Sequence, residues 1–266
     1  MALQKSDALV LKAYNWSESS RTIVFFTRDF GRLALIDKGG RSLKSRRGRM
    51  LAFSTLEVTF YQSRRETSGY VSDILVEQSF EFAREGTLGR LGYGSAACEL
   101  LLLLLPEEEP QPELFDYTVH FLSWLDRADK RYLPSLFVAF YLRLLSSLGY
   151  HTSLTHCSVC GEPIADEAES RGEVAFSPEQ GGVVSAACQK AGDYYIRLTY
   201  QSLKLLVTLQ TASLNEAATL PISFVEAGLL VEALRRFMSY QADVRADIKS
   251  LEFLEKLKNS QGGNGN

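Results

Sequence analysis

The sequence predicts an α+β protein of more than one domain: a small five-stranded barrel first, helices after it, and a thiol-bearing module set among the helices. Three observations predict it. Residues 1–80 break into short runs rich in β-branched and aromatic side chains. From residue 81 the apolar positions recur at helical spacing. Cys157-Ser-Val-Cys160-Gly161 is answered, after a long insert, by Ser185-Ala-Ala-Cys188. At 266 residues the chain exceeds a usual single domain, and 45% hydrophobic content suffices for sizeable cores.

The predicted strands are 7–15, 21–28, 32–38, 55–61 and 70–76, separated by Ser, Gly or charged breaks. Five strands in a domain of residues 1–80 suit the oligonucleotide-binding barrel, and an open five-stranded sheet satisfies the same pattern. This part is basic. It carries 13 Lys plus Arg against 8 Asp plus Glu, whereas the remainder carries 16 against 24, an asymmetry that points to a polyanionic partner. The cations concentrate at Lys38, Arg41, Lys44, Arg46, Arg47 and Arg49, six of twelve residues with no acid among them. The glycines and serines between them favour a loop. Such a loop binds phosphates independently of base sequence and with steep salt dependence, or it is a solvated loop with no partner. Tyr14, Trp16 and Phe30 are candidates for stacking on bases, with burial in the core as the competing fate.

The helical domain is assigned to residues 81–258, with helices at 87–105, 113–126, 132–148, 199–212, 222–241 and 247–258. Gly86, Gly89, Gly92 and Gly94 each cost up to about 1 kcal/mol in a helix interior. The first helix is therefore expected to begin nearer Ser95, unless the glycines allow close packing against the barrel. Cys98 in this apolar stretch reads as a small buried hydrophobe. The prolines of Pro106-Glu-Glu-Glu-Pro110-Gln-Pro112 make that segment a connector, and residues 259–266 are expected to form a disordered tail.

Residues 150–192 read as a zinc-ribbon-like insert. Gly161 permits the tight turn that lets Cys157 and Cys160 face one ion, and a hairpin after Phe176-Ser-Pro178 returns Ser185 and Cys188 to them. Structural zinc is tetrahedral and wants four ligands. Cys157, Cys160 and Cys188 supply three, leaving the fourth to the Ser185 position, to His156 or to a water. A catalytic reading fails because no H-E-x-x-H or H-x-E motif accompanies the thiols.

Other classes are excluded by pattern. The apolar run Leu100–Leu105 is far shorter than the roughly 20 residues a membrane span needs. Four cysteines without a signal peptide fit a reducing, cytoplasmic setting. No Walker sequence or nucleophile elbow occurs, and Asp29-Phe30-Gly31 imitates a kinase triplet in a predicted hairpin turn. No enzyme activity and no small-molecule substrate are expected.

The segments Tyr14-Asn-Trp-Ser-Glu18-Ser-Ser-Arg21, Thr27-Arg-Asp-Phe-Gly31-Arg and Asp37-Lys-Gly-Gly-Arg41-Ser-Leu-Lys-Ser45 resemble the amino-terminal signature of the bacterial recombination mediator family RecO. Phe140 to Tyr150, Cys157 to Gly161 and Phe176 to Gly182 are similar to that family's helix, zinc module and following turn. The likeness covers almost the whole chain. It implies an oligonucleotide-binding barrel and a helical domain, binding of single- and double-stranded DNA, strand annealing without ATP, and cooperation with RecR in loading RecA onto strands coated by single-strand-binding protein, in the cytoplasm at the nucleoid. Carried over, the DNA contacts fall on Lys38, Arg41 and Lys44, and zinc on Cys157, Cys160 and Cys188. Ser185 departs from the family's four-cysteine form. Arg143 beside Phe137, Phe140 and Leu144 suggests a docking helix for the acidic tail of the coating protein, although core packing explains the same residues. The alternative to a mediator is a structural adaptor that binds proteins rather than DNA.

Overall fold

The computed structural model describes residues 2–15, 17–40, 53–62, 69–83, 87–245 and 247–262. It divides into two compact units, residues 1–127 and 128–266, so the change of period at residue 81 falls inside the first unit.

Five strands open the first unit: β1 (Ala2–Asn15), β2 (Arg21–Thr27), β3 (Gly31–Asp37), β4 (Ser54–Gln62) and β5 (Gly69–Ser79). They close in the order β1-β2-β3-β5-β4, with β1 returning to β4 and only the β3–β5 pair parallel. Closure removes the free edges that a sheet of this size exposes. Alternation puts Ala8, Val10, Ile23, Phe25, Leu33, Leu35, Leu56, Val58, Phe60 and Val71 into one core. Phe30, in the β2–β3 turn, folds back over the end of that core, its ring 5.4 Å from Phe60 and edge-on to it. It is a plug rather than an exposed stacking residue.

Two helices complete this unit, α1 (Thr87–Leu104) and α2 (Pro112–Arg127). They cover the apolar patch on the outer faces of β1 and β2. Leu9 and Phe26 are fully buried there, and Phe26 meets Phe115 of α2 edge-on at 5.4 Å. Arg28 donates to both carboxylate oxygens of Asp116 at 3.0 and 2.9 Å. The acidic proline-rich connector crosses the β2–β3 turn: Arg32 Nε donates to the Leu105 carbonyl at 2.9 Å, and the backbone of Glu109 fills the space a Cβ on Gly31 would need.

Helix α1 begins at Thr87, not near Ser95. At Gly94 packing outweighs propensity: a Cβ there would stand 3.0 Å from the Phe82 ring and 3.1 Å from the Phe53 ring. Cys98 is buried on this helix, and burial pushes its thiol up to about 12.

The second unit is organised on α3 (Leu133–Ser147). Phe137, Phe140, Leu144 and Leu145 have no exposed surface, as expected of a helix apolar around most of its circumference. Phe137, Phe140 and Leu144 therefore offer no groove for an acidic tail, while Arg143 beside them is exposed. The other helices are α4 (Ala165–Arg171), α5 (Tyr200–Thr211), α6 (Leu214–Ala217), α7 (Phe224–Gln241) and α8 (Lys249–Gly262), of which α5, α6 and α7 pack on α3. Thr199, Ser213 and Ser223 cap α5, α6 and α7 by accepting from the N–H three residues on. Helix α8 continues past residue 258, because Asn259, Ser260 and Gln261 cost a helix too little to stop it. The unit is not all-helical. It carries β6 (Glu173–Ser177), β7 (Gly182–Val184) and β8 (Ile196–Thr199) in the order β7-β6-β8. The hairpin of β6 and β7 was legible; β8 was not.

Candidate nucleic-acid interface and thiol cluster

Strand β3 ends by delivering the cation run. Asp37, its last residue, is fully buried and accepts from Arg21 Nε at 2.9 Å, the two standing opposite each other across β2 and β3. The Asp37 carboxylate occupies the place where a Cβ on Gly40 would stand, so the chain can leave the barrel here only as glycine. Lys38 is exposed, with Nζ 4.1 Å from the centre of the Tyr70 ring. Arg41, Lys44, Arg46, Arg47 and Arg49 lie outside the described residues, as does Trp16. Tyr14 is 47% exposed and carries Lys12 Nζ at 4.7 Å.

Sequence reading missed a second feature at this end of the barrel. Tyr61 of β4 pairs with Tyr70 of β5 on one side and with Leu3 of β1 on the other, and Tyr70 pairs with Ile36 of β3. Phe60 and Val71 point inward, so Tyr61 and Tyr70 point out. The parity was readable from Phe60-Tyr61. The juxtaposition needs the register of three strands.

In the second unit, the Cys157-to-Gly161 turn is closed by the Gly161 N–H donating to the Cys157 carbonyl at 2.9 Å, with Gly161 at φ +79°. The Ser158 N–H donates to the Val183 carbonyl at 2.8 Å, tying this turn to β7. A single 3₁₀ turn, Ala186–Cys188, then brings the third thiol across. The sulfurs of Cys157, Cys160 and Cys188 lie within 4.8 Å of one another, close enough to share a metal ion. His156 is not among them; its Nδ1 lies 2.9 Å from Thr155 Oγ1.

Ser185 stands beside the thiols. Its N–H donates to the Cys157 sulfur at 3.3 Å, and its hydroxyl is within hydrogen-bond reach of both Cys157 and Cys188. Burial opposes ionisation of Cys157. Hydrogen bonds from the N–H groups of Cys160, Ser185 and Val159 and from the Ser185 hydroxyl outweigh it, bringing the thiol down to about 6. At Cys188 the Ser185 hydroxyl favours the thiolate, but the Cys160 and Cys157 sulfurs and burial together push its pKa up. Three soft donors within 4.8 Å of one another fit a thiophilic cation.

A strand-closed barrel that ends in a cation run suits a polyanionic partner, and comparison with known proteins gives the class. Residues 1–80 match the family described as Recombination protein O N terminal, and residues 85–252 match Recombination protein O C terminal. DNA repair protein RecO of Symbiobacterium thermophilum is 29% identical over 262 residues, covering 98% of this chain and all of the relative. The RecO proteins of Anaeromyxobacter dehalogenans strain 2CP-C and Pelotomaculum thermopropionicum are 30% and 29% identical, over 97% and 100% of this chain and 98% of each relative. The chain belongs to the RecO family of DNA repair proteins, as its amino-terminal signature and zinc-module spacing imply. Among the described residues no helix is long and apolar enough to cross a membrane.

Proposed function

We propose that the protein is a recombination mediator that binds single- and double-stranded DNA, anneals complementary strands without ATP, and helps RecR load RecA onto strands coated by single-strand-binding protein, in the cytoplasm at the nucleoid. Residues 1–80 form the oligonucleotide-binding barrel in this reading. The observation that carries it is the position of the cation run: it starts at exposed Lys38, at the mouth of a closed barrel, in a chain that matches the RecO family along both of its parts. Lys38, Arg41, Lys44, Arg46, Arg47 and Arg49 contact phosphates. Two strands resist pairing because their phosphates repel; a cationic surface that holds both screens that repulsion and raises their local concentration. Base pairing supplies the driving force, so no catalytic residue is required.

Cys157, Cys160 and Cys188 hold zinc, with the fourth position at or beside Ser185. The ion supplies a crosslink between the Cys157-to-Gly161 turn and the Ala186–Cys188 turn.

The test is strand annealing with and without single-strand-binding protein, in the absence of ATP, beside titration of labelled single strands at two salt concentrations. Replacing Lys38, Arg41, Lys44, Arg46 and Arg47 by alanine is expected to weaken binding markedly and flatten the salt slope. Unchanged affinity and slope would make the protein an adaptor that binds other proteins.

A further inference from the structure

Resting on that reading, we propose that Tyr61 and Tyr70, flanked by Leu3, form a base-stacking platform for single-stranded DNA on the outside of the barrel, with Lys38 beside it to hold the phosphate. Register puts the three side chains in one row: Leu3 on β1, Tyr61 on β4, Tyr70 on β5. Directly opposite residues in such pairs have Cβ atoms roughly 4.5–5.5 Å apart, near enough for neighbouring rings to present one continuous surface. Leu3 is 57% and Tyr61 40% exposed. Contiguous exposed apolar side chains mark a binding surface, as scattered single ones do not.

What covers them is indicated by charge. Lys38 Nζ stands over the Tyr70 ring, 4.1 Å from its centre, so it swings off that face when a base stacks there, and the cation run continues from it along the chain. A cation next to a flat aromatic surface matches the alternation of phosphate and base in a single strand. The neighbouring outward row, Lys5, Thr59 and Asp73, is polar, and Lys5 there is neutralised by Glu57 at 2.7 Å. The aromatic surface is thus confined to the end of the barrel where the cations begin.

This division assigns two components of binding to two sets of residues. Phosphate contacts act on single strands and duplexes alike and fade with salt. Stacking on Tyr61 and Tyr70 requires a free base face, which a duplex keeps inside its own stack, and it is insensitive to salt. The row therefore favours single strands over duplexes at the ionic strength where the cations alone hold both weakly.

The test uses the full-length protein with Tyr61→Ala, Tyr70→Ala, Tyr61→Phe and Tyr70→Phe, titrated against a labelled oligothymidylate and a labelled duplex at two salt concentrations. Each alanine variant is expected to weaken single-strand binding by roughly tenfold, with duplex affinity and salt slope unchanged; the phenylalanine variants restore binding. A single strand carrying 2-aminopurine provides a direct readout, because stacking quenches its emission: the parent and both phenylalanine variants quench, and Tyr61→Ala does not. Single-strand affinity equal to the parent's in both alanine variants overturns the platform while leaving DNA binding intact. Absence of quenching by the parent overturns it whatever the variants do. Alanine variants that keep DNA affinity but lose single-strand-binding protein would make the row a protein-docking surface and overturn it equally. A parent that binds no oligonucleotide defeats the DNA-binding reading itself.

Discussion

Replacing Asp37 by alanine should cost the barrel unit more than any other single charge removal at its basic end. Asp37 has no exposed surface, and its partner Arg21 retains 15% side-chain exposure. Arg21 Nη2 is also buried, with no hydrogen-bond partner among the described residues. Deleting the carboxylate leaves a guanidinium with little water and without its Asp37 counter-charge, a change that costs about 3–5 kcal/mol when one partner of a buried pair is removed. For a unit of this size each kcal/mol moves the melting temperature by roughly 3–5 °C, so Asp37→Ala should melt about 10–20 °C below the parent in calorimetry of the full chain. Arg21→Ala together with Asp37→Ala should recover part of that loss, since neither charge is then stranded. The coupling is expected at about 1–3 kcal/mol. Lys38→Ala, one residue on but exposed, should leave the melting temperature within about 2 °C. A fall of less than about 3 °C for Asp37→Ala, or single and double variants that add without coupling, would refute the view that this pair anchors the exit of the cation run.

Two further outcomes are expected in the second unit. Ser185→Cys should tighten zinc binding on the order of tenfold or more in competition with a chromophoric chelator; an unchanged affinity would show that the seat does not face the three thiols. In the parent, chelation should loosen residues 150–192 in hydrogen exchange before the barrel opens. On α7, burial opposes ionisation of Glu232, but hydrogen bonds from Arg235 at 2.7 and 2.9 Å and Arg236 at 2.5 Å outweigh it and hold its carboxyl below the ordinary range. Its contribution to stability is therefore complete above that ordinary range and is lost as pH falls through the depressed folded value. Glu232→Gln should flatten the acid limb of the melting-temperature profile between those two values, and a limb of unchanged steepness would count against the ion-pair account.

Periodicity made most elements legible. The five strands and the six long helices follow from alternation and helical spacing, because each element has one side to bury and the sequence marks that side. The errors share a cause: tertiary contacts that no local window contains. Gly89, Gly92 and Gly94 argued for a late start to α1, yet Gly94 faces the Phe53 and Phe82 rings, where a larger residue does not fit. Phe30 looked exposed because it sits in a turn, but the turn folds it onto Phe60. Phe137, Phe140 and Leu144 looked like a docking stripe until three neighbouring helices enclosed them. At the thiol site the spacing gave the three cysteines and the Ser185 position, whereas the hydrogen bond from the Ser185 N–H to the Cys157 sulfur became visible only once β6 and β7 were folded. Tyr61 was unread for the opposite reason. Its parity was plain, but a lone outward tyrosine means little until register sets Tyr70 and Leu3 beside it.

The edge-on seat of Phe26 against Phe115 has a practical consequence for anyone dissecting this molecule. Cutting the chain after β5 strips away α2, leaving a bare phenyl ring on the outer wall of β2 and Arg28 without Asp116. Such a fragment should clump in the test tube, and its failure to grip oligonucleotides would say nothing about the barrel's own affinity. A fragment ending at Arg127 keeps that wall clothed.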